Sequence, residues 1–206
     1  MSTAMDYKIK ERYWQRRVGP DHAWREHGSD KGPPPGEDLA AMRSGLGRPP
    51  MDSPKMWALY TCPVNDMLAR RGEVSAEQAA EHAALSLFGL HQQGEKVPMH
   101  RQGVGLGTAL LALRRHEKFS DSATDARVGA MAAATSVPAL LRHLRSLITQ
   151  LRVISQPVDY TQLMADIQNW HHPDRRPPVR RRWALDYRVW THNTPDPKAP
   201  TAPAAE

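Results

Sequence analysis

The clearest hydrophobic pattern in the chain lies between Ser136 and Arg152, in the segment SVPALLRHLRSLITQLR. Its apolar residues recur at intervals of three and four, which predicts an amphipathic helix with one buried face. That face carries Leu140, Leu144, Leu147, Ile148 and Leu151. Ser136 is placed to cap the helix, and Pro138 suits its first turn because the N–H that proline lacks would have no partner there.

Arginines occupy the arc beside this apolar face, at positions 142, 145 and 152. A solvated amphipathic helix would carry charges in the same way, and the pattern alone favours that interpretation. The alternative is a helix that binds a nucleic-acid backbone. It gains support from the sequence that follows, which is also rich in arginine.

The same periodicity predicts helices elsewhere in the chain, with caps at several of their ends. They fall within residues 1–19, 37–44, 75–93, 103–118, 124–134, 159–170 and 179–190. Ser75 and Gln78 form a capping-box pattern, and Asp159 is placed as an N-cap. The small residues Ala80, Ala83 and Ala84 predict a face that lies close to another helix.

Other short segments are predicted to anchor the core or to separate the helices. Tyr13 and Trp14 are expected to pack into the core, and Met56 to Tyr60 is expected to be helical and buried. Residues 20–36, with the run GPPPG, are predicted to be a loop with little order. Pro173, Pro177 and Pro178 mark a tight connection, and Trp170, Trp183 and Tyr187 are expected to form one apolar cluster.

These patterns predict an all-α fold, because no segment alternates apolar and polar residues between hairpin turns. We expect a helical bundle with short loops. The predicted domains are an N-terminal helix with a flexible Pro/Gly loop (1–36), a helical domain (37–191) and a disordered tail (192–206). The tail is rich in proline, alanine and threonine.

Positive charge is concentrated in the second half of the chain. The net charge is +6 over 206 residues, and residues 126–190 alone contain ten arginines, no lysine and four aspartates. Arginine without lysine favours planar, bidentate recognition of phosphates or carboxylates. Structural ion pairs are the competing use. With six Trp, five Tyr and two Phe, a surface built mainly on base stacking is not expected.

No pattern of catalytic or metal-binding residues stands out. The glycines of Gly103-Val104-Gly105-Leu106-Gly107 are spaced GxGxG, and neither a preceding strand nor a following Gly-Lys pair supports a phosphate loop. We expect them to form a turn and a helix start packed on a neighbour. His171 and His172 lack the spacing of metal ligands, and Ser120, Ser122 and Cys62 lack a recognisable base. We therefore expect neither an enzyme nor a resident cofactor or metal.

The single cysteine, Cys62, excludes an intramolecular disulfide, which fits a reducing compartment. The apolar runs are far shorter than a membrane span, and the N-terminus lacks the apolar core of a signal peptide. These features predict a cytoplasmic protein that does not contact a membrane.

The order of motifs in the second half resembles the CasB family, the small subunit of the type I-E CRISPR surveillance complex Cascade. The segments are GVGLGTALLAL, an arginine-bearing helix, LLRHLRSLI, PVDYTQLMADIQNW and VRRRWALDY, and the resemblance runs from about Leu39 to Trp190. Gly105 departs from the family pattern, which usually has serine there, and thereby lacks a capping hydroxyl. The loop GEKVPMHRQ is less basic than in some relatives.

The resemblance implies a non-catalytic, all-helical subunit that is present in two copies beside the backbone and large subunits of Cascade. Its implied partners are the CRISPR guide RNA, the target DNA with its displaced strand, and a second copy of itself. Arginines that bind phosphates would stabilise the R-loop without a sequence preference. Two alternatives remain open: a structural adaptor whose arginines contact acidic proteins, and a free-standing helical regulator that binds nucleic acid.

Seven arginines are the candidate nucleic-acid contacts. Arg142 and Arg145 are expected to make the main phosphate contacts, because they lie three residues apart on one helix face. The supporting and weaker candidates are Arg127, Arg43, Arg101, Arg152 and Arg180.

Overall fold

The computed structural model describes residues 11–187, which fold into helices without a strand. The α-helices of this region are α1 (Tyr13–Arg17), α2 (Gly36–Ser44), α3 (Asp66–Ala69), α4 (Ala76–His91), α5 (Leu106–Arg114), α6 (Asp121–Ala132), α7 (Val137–Val153), α8 (Tyr160–Trp170) and α9 (Arg176–Asp186). Short 3₁₀ segments lie at Pro50–Asp52, Pro54–Leu59 and Pro173–Arg175. The predicted all-α bundle is confirmed.

Helix α4 is the centre of the bundle and packs against α2, α7 and α8. Ala80, Ala83 and Ala84 are all buried, as their small side chains predicted. A further small residue of α4 lets α2 approach: a Cβ atom at Gly89 would collide with the side chain of Met42. Close packing of backbones thus replaces large side chains along this part of the core.

The short helix α1 belongs to the same core. Trp14 is fully buried, and its indole N–H donates a hydrogen bond to Thr161 over 3.0 Å. Its ring lies 6.2 Å from Phe88 and 5.7 Å from Tyr160, measured between centroids. Tyr13 and Trp14 are therefore the packing anchors that the sequence predicted.

The helix caps also follow the sequence. The Ser75 hydroxyl accepts from the Gln78 N–H at 3.1 Å, and the Gln78 side chain accepts from the Ser75 N–H at 2.9 Å. Ser136 accepts from the Ala139 N–H at 3.3 Å. Asp159 caps α8 through the N–H groups of residues 161 and 162. Each cap satisfies donors that the first helical turn leaves without a partner.

The segment from Met56 to Tyr60 departs from its prediction. It forms part of a 3₁₀ helix, in which residues three apart share a side. Met56 and Leu59 therefore face the core together, whereas Trp57 is 56% exposed. The prediction of a buried anchor is correct for Met56 and Leu59 and wrong for Trp57 and Ala58, and Tyr60 is half-buried.

Helix α9 begins earlier than the sequence predicted. It starts at Arg176, so Pro177 and Pro178 lie in its first turn and not in the preceding connection. Proline is tolerated there because the first N–H groups of a helix have no intrahelical partner. The predicted last turn at Trp190 and the predicted tail, residues 192–206, lie outside the described residues.

Residues 20–35 form an irregular loop that is fastened to the rest of the chain, and the last residue of the predicted loop, Gly36, begins α2. Val18 and Trp24 form an isolated antiparallel bridge. The Trp24 indole N–H donates to the Lys96 carbonyl at 2.9 Å, and the His22 ring donates to the Pro98 carbonyl at 2.8 Å. The sequence predicted the loop but not these contacts. No helix of the described region is long and apolar enough to cross a membrane.

Candidate nucleic-acid interface

Helix α7 places two arginines in solvent beside a buried stripe. The five apolar residues of its predicted inner face are all buried, with exposures of 1% or less. Arg142 and Arg145 are exposed, and within residues 11–187 neither guanidinium takes part in a hydrogen bond or an ion pair. Because they are three residues apart, the two side chains lie on neighbouring turns of one helix surface. Both remain available to an anion.

These two arginines line a groove of about 520 Å³ between α7, α4 and the loop that follows α2. The walls are largely apolar and are formed by Ala79, Ala83, Leu87, Val137, Pro138 and Leu141. Arg48 lines the same groove from the loop. Three arginines from two segments of the chain therefore line one largely apolar depression.

The groove is positively charged. None of its lining residues is an aspartate or glutamate. Two histidines line it as well, and burial lowers the pKa of both His82 and His171. Both imidazoles are therefore neutral at pH 7, and the charge of the groove comes from its arginines. Such a surface favours an anionic ligand over a cationic one.

His82 positions the loop that carries Arg48. Its Nε2–H points to two carbonyl oxygens, that of Arg48 at 2.8 Å and that of Gly45 at 3.1 Å. Its Nδ1 accepts from the Tyr60 hydroxyl at 2.7 Å, which fixes the orientation of the ring. Gly45 permits the close approach, because a Cβ there would lie 2.7 Å from both the His82 ring and the Ser86 hydroxyl.

Two of the candidate arginines are used inside the protein. Arg152 donates to the Leu90 carbonyl at 3.1 Å and to the Gln93 side chain at 3.2 Å, which ties the end of α7 to the end of α4. Arg180 donates to the Ala134 carbonyl at 3.1 Å, and its guanidinium lies 5.1 Å above the Trp170 ring. Both groups have structural partners.

Other arginines in the C-terminal run behave in the same way. Arg176 donates to the Trp170 carbonyl at 2.8 Å and to the Thr135 carbonyl at 2.7 Å. The spacing of Arg182 and Asp186, one turn apart on the same helix, predicts an ion pair between them, and this prediction is wrong. Arg182 bonds to Asp166 of α8, because α8 and α9 pack together and bring that buried carboxylate within reach.

The remaining candidates lie elsewhere on the surface. Arg127 is exposed on α6, Arg101 is exposed before α5, and Arg43 is half-buried in the last turn of α2. None of the three lines the groove. Arg48, which does, was missed by sequence reasoning, because it lies in a turn between Gly47 and Pro49 where no periodicity indicates a direction.

Comparison with known proteins agrees with this architecture. A sequence model of the CRISPR-associated protein Cse2 matches residues 38–187. The chain belongs to the Cse2 family. The family resemblance predicted from the motif order is thereby confirmed.

Two solved structures are similar to this Cse2-family chain. The crystal structure of CasB from Thermobifida fusca is 25% identical, with a TM-score of 0.57, and the match covers 74% of this chain and 84% of that one. A chain of a CRISPR RNA-guided surveillance complex is 24% identical, with a TM-score of 0.53, and the match covers 73% and 80%. No curated protein sequence is significantly similar.

The glycine turn of this Cse2-family chain serves packing. A Cβ at Gly107 would lie 2.6 Å from the Trp183 carbonyl oxygen, so α5 and α9 touch through their backbones. Gly105 is the N-cap of α5 and makes no side-chain cap. A Cβ at Gly105 would lie 2.9 Å from the Gln162 Oε1 atom and 3.2 Å from the Asp186 Oδ2 atom. A side chain at position 105 would therefore require the Gln162 side chain to move.

The described residues contain no cluster of three or more His, Cys, Asp or Glu that could hold a metal ion. Cys62 is half-buried, and burial together with the Glu81 carboxylate raises the pKa of its thiol. The thiol therefore stays protonated at neutral pH and is a poor nucleophile. Arg12 and the Thr61 hydroxyl also bond to Glu81, so this polar group fastens the N-terminal segment to α4.

Proposed function

We propose that this chain is the non-catalytic small subunit of a type I-E CRISPR RNA-guided Cascade complex and binds the backbone of DNA in the open R-loop. One observation carries the nucleic-acid part of the proposal. Arg142, Arg145 and Arg48 surround one groove without an acidic residue, and Arg142 and Arg145 have no guanidinium partner among residues 11–187.

Exposed guanidinium groups suit this task. Arginine binds phosphate through two parallel hydrogen bonds, and contacts to phosphates carry no base identity. An R-loop exchanges a DNA duplex for a heteroduplex of similar stability, so added contacts to a DNA backbone shift the balance toward the open state. A small basic subunit can therefore stabilise the R-loop without cutting or reading the strand.

The proposed partners follow from the same function. The chain would sit against the backbone and large subunits of the complex, close to the guide RNA, with a second copy of itself beside it. It would contact the target DNA and its displaced strand. The supporting observations are its membership in the Cse2 family and its similarity to a chain of a CRISPR RNA-guided surveillance complex.

The test is the salt dependence of binding to single-stranded DNA by the double variant Arg142→Ala, Arg145→Ala. Each arginine that no longer neutralises a phosphate of a single strand lowers the slope of log affinity against log salt by about 0.7. We expect the slope to flatten by somewhat more than one unit, about equally for any strand sequence. The matched control is Arg70→Ala, Arg71→Ala, which removes the same charge from two exposed arginines outside the groove.

Assembly is measured in parallel by co-purification with the RNA-containing complex. The groove variant should still assemble if Arg142 and Arg145 contact DNA. A wild-type salt slope together with loss of assembly would mean that these arginines contact protein.

A structural adaptor is the second candidate, and a different surface favours it. Several large apolar side chains between residues 51 and 67 are more than half exposed: Met51, Trp57, Val64 and Met67. A contiguous exposed apolar patch is typical of a protein contact, and these four side chains come from one short stretch of the chain. Substitution of Trp57 by alanine should then weaken assembly and leave the salt slope of DNA binding unchanged.

A further inference from the structure

We propose that the groove beside α7 holds an unstacked nucleobase of the bound single strand, while the flanking phosphates contact Arg48, Arg142 and Arg145. This inference rests on the proposed function, because it specifies which part of the DNA strand the same surface binds. A flat basic surface would be sufficient for phosphate contacts alone. The depression and its apolar walls are the features that they leave unexplained.

The walls of the groove match the flat, weakly polar face of a base. Ala79 and Leu141 are only partly buried, so apolar surface is open to solvent between the arginines. The volume of about 520 Å³ lies within the range of pockets that hold small ligands, about 300–1,000 Å³. The small side chains of Ala79 and Ala83 keep the depression open.

A neutral histidine ring also belongs to the wall of the groove. His171 lines the groove, and its Nε2 atom is buried without a hydrogen-bond partner among residues 11–187. Burial, His172 and Arg176 lower the pKa of His171, so the ring is neutral and adds no positive charge to the groove.

A nucleotide fits these features better than an acidic peptide does. A nucleotide joins an anion and a broad π-face in one residue, and the groove joins guanidinium groups and apolar walls at the same place. Arginine planes and histidine rings are stacking surfaces for splayed bases. An aspartate or glutamate side chain would satisfy the arginines but would leave the apolar walls exposed.

The experiment compares two probes with the full chain: a short oligo(dT) strand and an abasic strand of the same length and phosphate number. We expect the wild-type protein to bind oligo(dT) about tenfold more tightly, since contacts to a base face add to those with phosphates. The variant Ala79→Leu fills the groove, and it should bind both strands with the affinity that the wild type has for the abasic strand. Its matched control is Ala40→Leu, on the exposed side of α2.

The possible outcomes separate this inference from the proposed function. Equal affinity of the wild type for both strands, with a salt slope that still depends on Arg142 and Arg145, would overturn the base pocket and leave phosphate binding intact. A salt slope that does not depend on those arginines would overturn the proposed function. Binding of a glutamate-rich peptide that is abolished in Ala79→Leu, without a preference for oligo(dT), would assign the groove to a protein. Circular dichroism melting of Ala79→Leu and Ala40→Leu identifies any loss of binding that is due to unfolding.

Discussion

Arg182 of α9 bonds to the buried carboxylate of Asp166 in α8, and not to Asp186 on its own helix. The same carboxylate accepts the indole N–H of Trp183 at 2.7 Å. Beside it the rings of Trp170 and Trp183 are stacked, with centroids 5.2 Å apart and planes 16° apart. One buried carboxylate and one pair of indoles thus join α8 to α9.

Replacement of Asp166 by alanine should destabilise the fold. Asp166 is 1% exposed, so the substitution leaves the Trp183 N–H buried without an acceptor, which costs about 1–3 kcal/mol. The Arg182 side chain is 39% exposed and can turn to water, so it adds little. Urea unfolding measures the change. The control is Asp186→Ala, whose free energy of unfolding should lie within about 0.5 kcal/mol of the wild-type value. A larger loss of stability in Asp186→Ala than in Asp166→Ala would contradict the role of Asp166 as the buried acceptor.

Two of the helical glycines, Gly107 and Gly129, should respond in opposite directions to alanine. In a helix interior this substitution normally stabilises by about 0.5–1 kcal/mol. Gly129 has open space around its Cα, so Gly129→Ala should show that gain. At Gly107 the new methyl group would meet the backbone of Trp183, and overpacking should cost about 1–3 kcal/mol. Thermal unfolding of both variants tests the close approach of α5 and α9. A higher thermal midpoint in Gly107→Ala than in the wild type would disprove that approach.

His91 should make the protein less stable in acid. Its ring is fully buried, its Nδ1 lies in a hydrogen bond 3.0 Å from the Tyr160 hydroxyl oxygen, and its Nε2 has no partner in the described region. Burial and, secondarily, the charge of Arg152 lower its pKa to about 3. Between the ordinary pKa of about 6.5 and pH 3 the unfolded chain therefore binds a proton that the folded chain does not, and stability falls as the pH falls.

The variant His91→Gln removes this contribution. Between pH 7 and pH 5 the free energy of unfolding should decrease by about 2 kcal/mol less than in the wild type. Urea unfolding at the two pH values measures the difference, and the exposed His27→Gln serves as the control. Parallel losses in the wild type and His91→Gln would mean that His91 becomes protonated in the folded chain.

Arg180 and Arg145 should separate stability from DNA binding. Arg180 holds the Ala134 carbonyl and covers the Trp170 ring, so Arg180→Ala should lower the thermal midpoint and keep the salt slope of DNA binding. Arg145→Ala should leave the thermal midpoint unchanged and flatten the salt slope of DNA binding, because its guanidinium has no partner in residues 11–187. A flattened salt slope in Arg180→Ala would mean that Arg180 contacts DNA after all.

The local features of this protein could be predicted from its sequence. The inner face of α7, the capping box of Ser75 and Gln78, and the caps at Ser136 and Asp159 all appear where the pattern placed them. Each depends on residues within one or two turns of each other, so the spacing along the chain determines the contact. The order of motifs also identified the family, because it reflects the succession of helices.

Tertiary packing alone decided which arginines remain available to a ligand. Arg142 and Arg180 look alike in sequence, yet one faces solvent and the other meets Ala134 and Trp170 from distant parts of the chain. Likewise, Arg48 reaches the groove only because His82 fastens its loop to α4. A guanidinium ends a long flexible side chain, so its partner is set by the helices that surround it and not by its neighbours in sequence.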